Sequence, residues 1–86
     1  MSEIRDRVIE IIAKELTIAA ARISDDMSLV DDLGADSVDR LELLLQFETL
    51  VGFPIPSEDE ESLATVGAVV AYVEKVMPDV NAPGPR

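Results

Sequence analysis

Ser37 stands between Asp36 and Asp39, immediately ahead of a long apolar run. A serine hydroxyl becomes a nucleophile in its own right only with a base beside it. The chain contains no histidine, the side chain most used for that work near neutral pH. It contains no cysteine either, which removes thiol nucleophiles, thiolate metal sites and disulfides. A serine triad or a zinc centre would lack its usual parts, so the composition argues against a self-sufficient enzyme. Modification of Ser37 by another enzyme needs no base in this chain. If Ser37 opens a helix, the unpaired N–H groups and the dipole there favour a phosphate ester on it. The plainer alternative is that Ser37, or Asp36 before it, is a helix cap and nothing more.

The carboxylates around this serine are the next group able to do chemistry. From Asp25 to Glu61 there are twelve acidic residues and one basic residue, Arg40, while the remainder of the chain is balanced. The whole net charge of −11 therefore lies in the middle of the sequence. Such a field attracts basic protein surfaces and speeds encounter with them. It repels nucleic acid and anionic membranes. A solvated acidic face is the bland reading, and clustering around one serine favours a docking surface. Asp25, Asp26, Asp31, Asp32 and Asp36 also invite a calcium reading, but their spacing does not fit the twelve-residue EF-hand loop. No metal ligand set is assigned.

The elements that must position these residues are legible. With 86 residues, one domain is expected, and a chain this short buries roughly 60–65% of its unfolded surface. Hydrophobic content is 48%, with only 3% aromatic, so the core must be mostly Ile, Leu, Val and Ala. Ser2 can cap a first helix over 3–16, in which Ile4, Val8, Ile11, Ile12 and Leu16 recur at helical spacing. Residues 17–36 show no sustained period. There, Ile23, Met27, Leu29 and Leu33 should pin the segment to the core, with one turn near Leu29–Asp32. A second helix over 37–51 would be about 22 Å long, ended by Gly52 and kept ended by Pro54 and Pro56. Ser57 should cap a short acidic stretch, Glu58–Glu61. Thr65 should cap a last helix over 66–76, striped by Val66, Val69, Val70, Val73 and Val76. A strand reading of that β-branched run is rejected because no partner strand is visible. Residues 78–86 read as a disordered tail behind a domain of residues 1–77. The fold class is all-α: a small four-helix bundle of three main helices and one short one.

The second helix carries more apolar surface than one core contact needs. Leu43, Phe47, Leu50 and Val51 fall on one side, the natural core face. Val38, Leu41 and Leu45 fall on another, with Leu44 between, and this second stripe is interleaved with Asp39, Glu42 and Glu48. Central burial of both stripes is one reading, with Leu41 the residue most open to it. The other is an apolar ridge edged by carboxylates, on which a basic partner docks.

The run Asp32-Leu33-Gly34-Ala35-Asp36-Ser37-Val38-Asp39 closely resembles the phosphopantetheine attachment motif of acyl carrier proteins, D-L-G-x-D-S-L/V-D. Glu42-Leu43, Ile55-Pro56 with the acidic stretch after it, and Leu63 to Tyr72 resemble the same family, so the similarity covers about residues 3–76. The resemblance implies that Ser37 receives 4′-phosphopantetheine from coenzyme A through a separate magnesium-dependent phosphopantetheinyl transferase, with Asp36 helping to place that enzyme's metal. The arm's thiol then carries acyl groups as thioesters, which would explain a carrier without cysteine. It implies partner recognition by Val38, Asp39, Leu41, Glu42, Leu45 and Glu48, and an acyl pocket lined by Leu43, Phe47 and Val69. The aspartate before the serine suits acyl rather than peptidyl carriers, in which histidine is commoner.

Some positions depart from the pattern. Gln46, Thr49 and Leu50 stand where typical fatty-acid carriers have a small residue and a more acidic helix end. Gly52-Phe53-Pro54 replaces a more polar turn, and Arg40 puts a positive charge beside Ser37. These changes weaken the acidic end of the recognition helix, so service to the bulk fatty-acid synthase is not assumed, and fatty-acid, specialised lipid and polyketide biosynthesis all stay open. The chain is expected to be a free-standing, monomeric carrier in the cytoplasm, with acyl-processing enzymes as partners and no catalysis of its own. The rival from another class is an unmodified acidic adaptor for a basic protein.

Overall fold

The structure, a computed structural model, describes residues 3–77. The expected Ser2 cap and the tail 78–86 lie outside the described residues. Four α-helices follow in order: α1 (Glu3–Leu16), α2 (Ser37–Val51), α3 (Ser57–Glu60) and α4 (Val66–Val76), with a 3-10 turn at Ala20–Arg22. The last helix is capped as expected, the Thr65 hydroxyl accepting from the Ala68 N–H at 3.1 Å. The short one is not. Pro56 holds the cap position of α3 without a side-chain bond, and Ser57 is the first residue inside the helix, where fixed-φ proline leads naturally into the first turn.

α1 ends less comfortably. The Ile18 N–H reaches back to the Ala13 carbonyl at 3.0 Å, and Thr17 between them takes φ of +56°. This is the left-handed helix stop that glycine usually supplies. For a β-branched residue that conformation costs roughly 1–2 kcal/mol. Thr17→Gly should therefore raise stability by about 1 kcal/mol, a few degrees of Tm for a domain this size, measurable by thermal denaturation. At the end of α2 the same conformation falls on Gly52, with φ of +89° and the Gly52 N–H donating to the Glu48 carbonyl at 2.8 Å.

The core is wholly apolar among the described residues. Val8 and Ile12 of α1, Leu43 and Phe47 of α2, and Val66, Val69 and Val73 of α4 are its most enclosed members. α1 packs against both α2 and α4, and α2 touches α4. Ile9 is also buried, whereas Ile11, Leu16 and Val76 are only half-buried. The α1–α2 connection is ordered by backbone bonds to the start of α4. The Leu29 N–H donates to the Ala64 carbonyl and the Val66 N–H to the Met27 carbonyl, both at 3.0 Å, and Ser28 and Thr65 form an isolated antiparallel bridge. Ile23 and Leu29 are buried and Met27 and Leu33 half-buried, pinning the connection as their spacing predicts. The turn following Ser28 closes through Asp32 and Leu33 N–H bonds to the Ser28 carbonyl.

α3 is held to α4 by the Tyr72 hydroxyl, which donates to Asp59 Oδ2 at 3.0 Å. Burial of the phenol, the bond to Asp59 and that carboxylate's charge together raise its pKa above the ordinary 10.0. Because the folded value lies above the unfolded one, this contribution is complete below about pH 10 and is lost as pH rises through the folded pKa. The stability gap between wild type and Tyr72→Phe should accordingly be present at pH 8 and shrink above pH 10. Denaturant titrations at the two pH values test this.

Candidate functional site

Asp36, not Ser37, caps α2. Asp36 Oδ1 accepts from the Asp39 N–H at 2.8 Å, and Asp39 Oδ2 accepts from the Asp36 N–H at 3.2 Å, a reciprocal capping box. The residue before the cap is set from the other side of the chain: the Ala35 N–H donates to the Leu29 carbonyl at 2.8 Å, and Ala35 is buried. Ser37 is thus the first residue inside the helix. It is exposed, and its hydroxyl makes no hydrogen bond among the described residues.

Ser37 lines a cleft of about 290 Å³. Ser37, Arg40, Leu41 and Glu60 line it together with an apolar set, Leu29, Leu43, Leu44, Phe47 and Leu63. Of the three residues expected to line an acyl pocket, Leu43 and Phe47 line this cleft. Val69 does not: it is wholly enclosed in the core and forms no part of the cleft wall. Leu29 of the α1–α2 connection lines the cleft as well, as do Glu60 and Leu63 from the end of α3 and the turn after it. No single helical period connects them, so spacing alone could not assemble them.

The two stripes of α2 separate cleanly. Leu43 and Phe47 are 1% and 2% exposed, while Val38, Leu41 and Leu45 are 64%, 55% and 49% exposed. The second stripe, Leu41 included, is a surface ridge. Its bordering carboxylates differ in how free they are. Glu42 is exposed and makes no hydrogen bond or ion pair among the described residues. Asp39 is half-buried and tied into the capping box. Glu48 Oε2 accepts from the Ile55 N–H at 2.8 Å, closing the turn after α2. Of the departures noted above, Gln46 ties α2 to α1 through a 2.7 Å bond from its amide to Glu15 Oε1, and Thr49 bonds back to the Leu45 carbonyl. Phe53 is exposed.

Four of the five aspartates that suggested calcium are spent separately, Asp31 being the exception. Asp25 pairs with Arg5 at 2.8 Å, Asp26 accepts from the Ser24 hydroxyl, Asp32 accepts from the Ser28 N–H, and Asp36 caps α2. Among the described residues no three acidic side chains converge on a cation position.

An exposed, unbonded hydroxyl opening onto an apolar-floored cleft fits a covalently attached flexible arm. Residues 6–73 match the family model described as a phosphopantetheine attachment site. The chain is 45% identical over 75 residues to the acyl carrier protein of Amoebophilus asiaticus (strain 5a2), covering 87% of this chain and 94% of that one. It is 43% identical over 75 residues to the acyl carrier protein of Rhizobium meliloti (strain 1021), covering 87% and 96%. Among solved structures it superposes on the acyl carrier protein of Enterococcus faecalis with a TM-score of 0.72 at 37% identity, covering 85% of this chain and 92% of that one. With a family model spanning most of its length and relatives this similar over nearly all of theirs, the chain belongs to the acyl carrier protein family.

Proposed function

We propose that this protein carries acyl groups as thioesters on a 4′-phosphopantetheine arm joined to Ser37. The observation that carries the reading is an exposed, unbonded Ser37 lining the same cleft as the buried Leu43 and Phe47. In the loading step the Ser37 oxygen bonds to the pantetheine-side phosphorus of coenzyme A, and the bond from that phosphorus to the pyrophosphate's bridging oxygen breaks. The adenosine bisphosphate leaves, and the hydroxyl proton goes to a base on the transferase, since this chain has no histidine to take it. Asp36 Oδ1 is occupied by the cap, while Oδ2 has no partner among the described residues and is the oxygen available to help place the transferase's magnesium. Once attached, the arm supplies the thiol that this cysteine-free chain lacks.

Val38, Leu41 and Leu45 would meet the partner enzymes, with Glu42 as the fully available steering charge and Asp39 and Glu48 adding to the field while they hold local structure. The cleft would shelter the acyl chain against Leu43 and Phe47. The carrier works as a cytoplasmic monomer without catalysis of its own. The acyl groups would serve fatty-acid, specialised lipid or polyketide biosynthesis. Intact-mass measurement after incubation with coenzyme A, magnesium and a broadly active phosphopantetheinyl transferase should find one added phosphopantetheine. An unchanged mass would favour the acidic adaptor instead.

A further inference from the structure

A phosphate on Ser37 would enter negative surroundings. Two carboxylates, Asp36 and Asp39, already occupy N–H donors at the start of α2, and together they outweigh the roughly half-unit positive end of a helix dipole. A phosphodiester would be the third anion in one helical turn. The only cation from Asp25 to Glu61 is Arg40. It follows Ser37 by three positions, which puts the two side chains on one face with Cβ atoms about 5–6 Å apart. Both line the same cleft. Arg40 is exposed and has no hydrogen bond or ion pair among the described residues, whereas Arg5 is paired with Asp25. Its acidic neighbours do not hold it: neither Asp36, one turn back, nor Glu60, across the cleft, lies within ion-pair distance of it.

We propose that Arg40 clamps the arm's phosphodiester, its guanidinium pairing with the phosphate oxygens through the forked N–H geometry suited to them. The clamp draws the root of the arm over the cleft mouth and directs an apolar cargo toward Leu43 and Phe47. It is a positioning role, and it rests on Ser37 being the attachment point.

The test uses the full chain, ¹⁵N-labelled, converted from apo to holo with excess transferase and checked by intact mass. On conversion the Arg40 Nε–Hε resonance should shift, while that of Arg22 stays in place. The ³¹P resonance should differ between wild type and Arg40→Gln and return toward wild type in Arg40→Lys. Salt at 1 M, where the Debye length is about 3 Å, should erase the difference. With a short acyl thioester loaded, cleavage by hydroxylamine should run up to about fivefold faster in Arg40→Gln, the effect expected of one exposed ion pair. Complete attachment with an unmoved Arg40 signal and identical ³¹P resonances would overturn the clamp and leave the carrier reading intact. Failure of attachment in wild type would remove both.

Discussion

Ser37→Ala should accept no mass from coenzyme A and should melt with the wild-type protein. The loss of attachment is total because the bond is to the deleted oxygen. The stability is unchanged because the cap lies one residue earlier: Asp36 and Asp39 close the box, and the Ser37 hydroxyl bonds to nothing among the described residues. Alanine inside the first turn is at least as good a helix former as serine, so the shift should stay within about 0.5 kcal/mol. Neighbouring variants separate structure from chemistry. Asp36→Ala should lose about 1 kcal/mol with the cap. Asp36→Asn keeps a capping side chain of similar quality but gives up a carboxylate. It should hold its Tm while attachment slows roughly 10–100-fold, the range seen when a group supporting a metal site is removed. Wild-type attachment rates in Asp36→Asn would sink the proposed role in placing magnesium. A large loss of Tm in Ser37→Ala would mean that the serine is a structural residue after all.

Leu43→Ala and Leu41→Ala should behave as opposites although they sit two positions apart. Leu43 is 1% exposed, at the meeting of α2 with the core. Its truncation removes buried methyl groups and leaves a cavity, costing about 2–5 kcal/mol. That is a large part of the roughly 5–15 kcal/mol that holds a typical domain, so the variant should be partly unfolded at moderate temperature. Leu41 is 55% exposed, and its truncation should leave Tm within about 0.5 kcal/mol of wild type. What Leu41→Ala should change is recognition: KM for this protein as transferase substrate should rise about tenfold, the effect of losing one interface anchor worth about 1.4 kcal/mol. A normal KM with a depressed Tm would return Leu41 to the core.

The three main helices and the order of elements could be read from the chain because each carries its own period and its own stop signals. Val66, Val69, Val70 and Val73 repeat as a helix face, and Gly52 with the prolines after it admits no continuation. The ridge on α2 was legible for the same reason, as one helix with two stripes. The cleft was not. Leu29, Glu60 and Leu63 meet Leu43 and Phe47 only after the α1–α2 connection has folded against the start of α4, and no local spacing encodes that meeting. Val69 enters the expected pocket only through the family resemblance, and its place on α4 is at the centre of the core, outside the cleft wall. The choice between Asp36 and Ser37 as cap also lay beyond composition, since either side chain can fill that position. The reciprocal bond from Asp39 decided it.

The bonds from Leu29 to Ala64 and from Val66 to Met27 also bear on the order of events during synthesis. Leu29 carries Ala35, and Ala35 leads directly into the cap ahead of Ser37. The serine leaves the ribosome well before the residues that seat it. Until Val66 has emerged, the segment leading to Ser37 lacks its anchor, and a transferase that reads the finished surface has nothing to grip. If Ser37 is loaded as proposed, fragments that stop short of α4 should be poor transferase substrates beside the full chain.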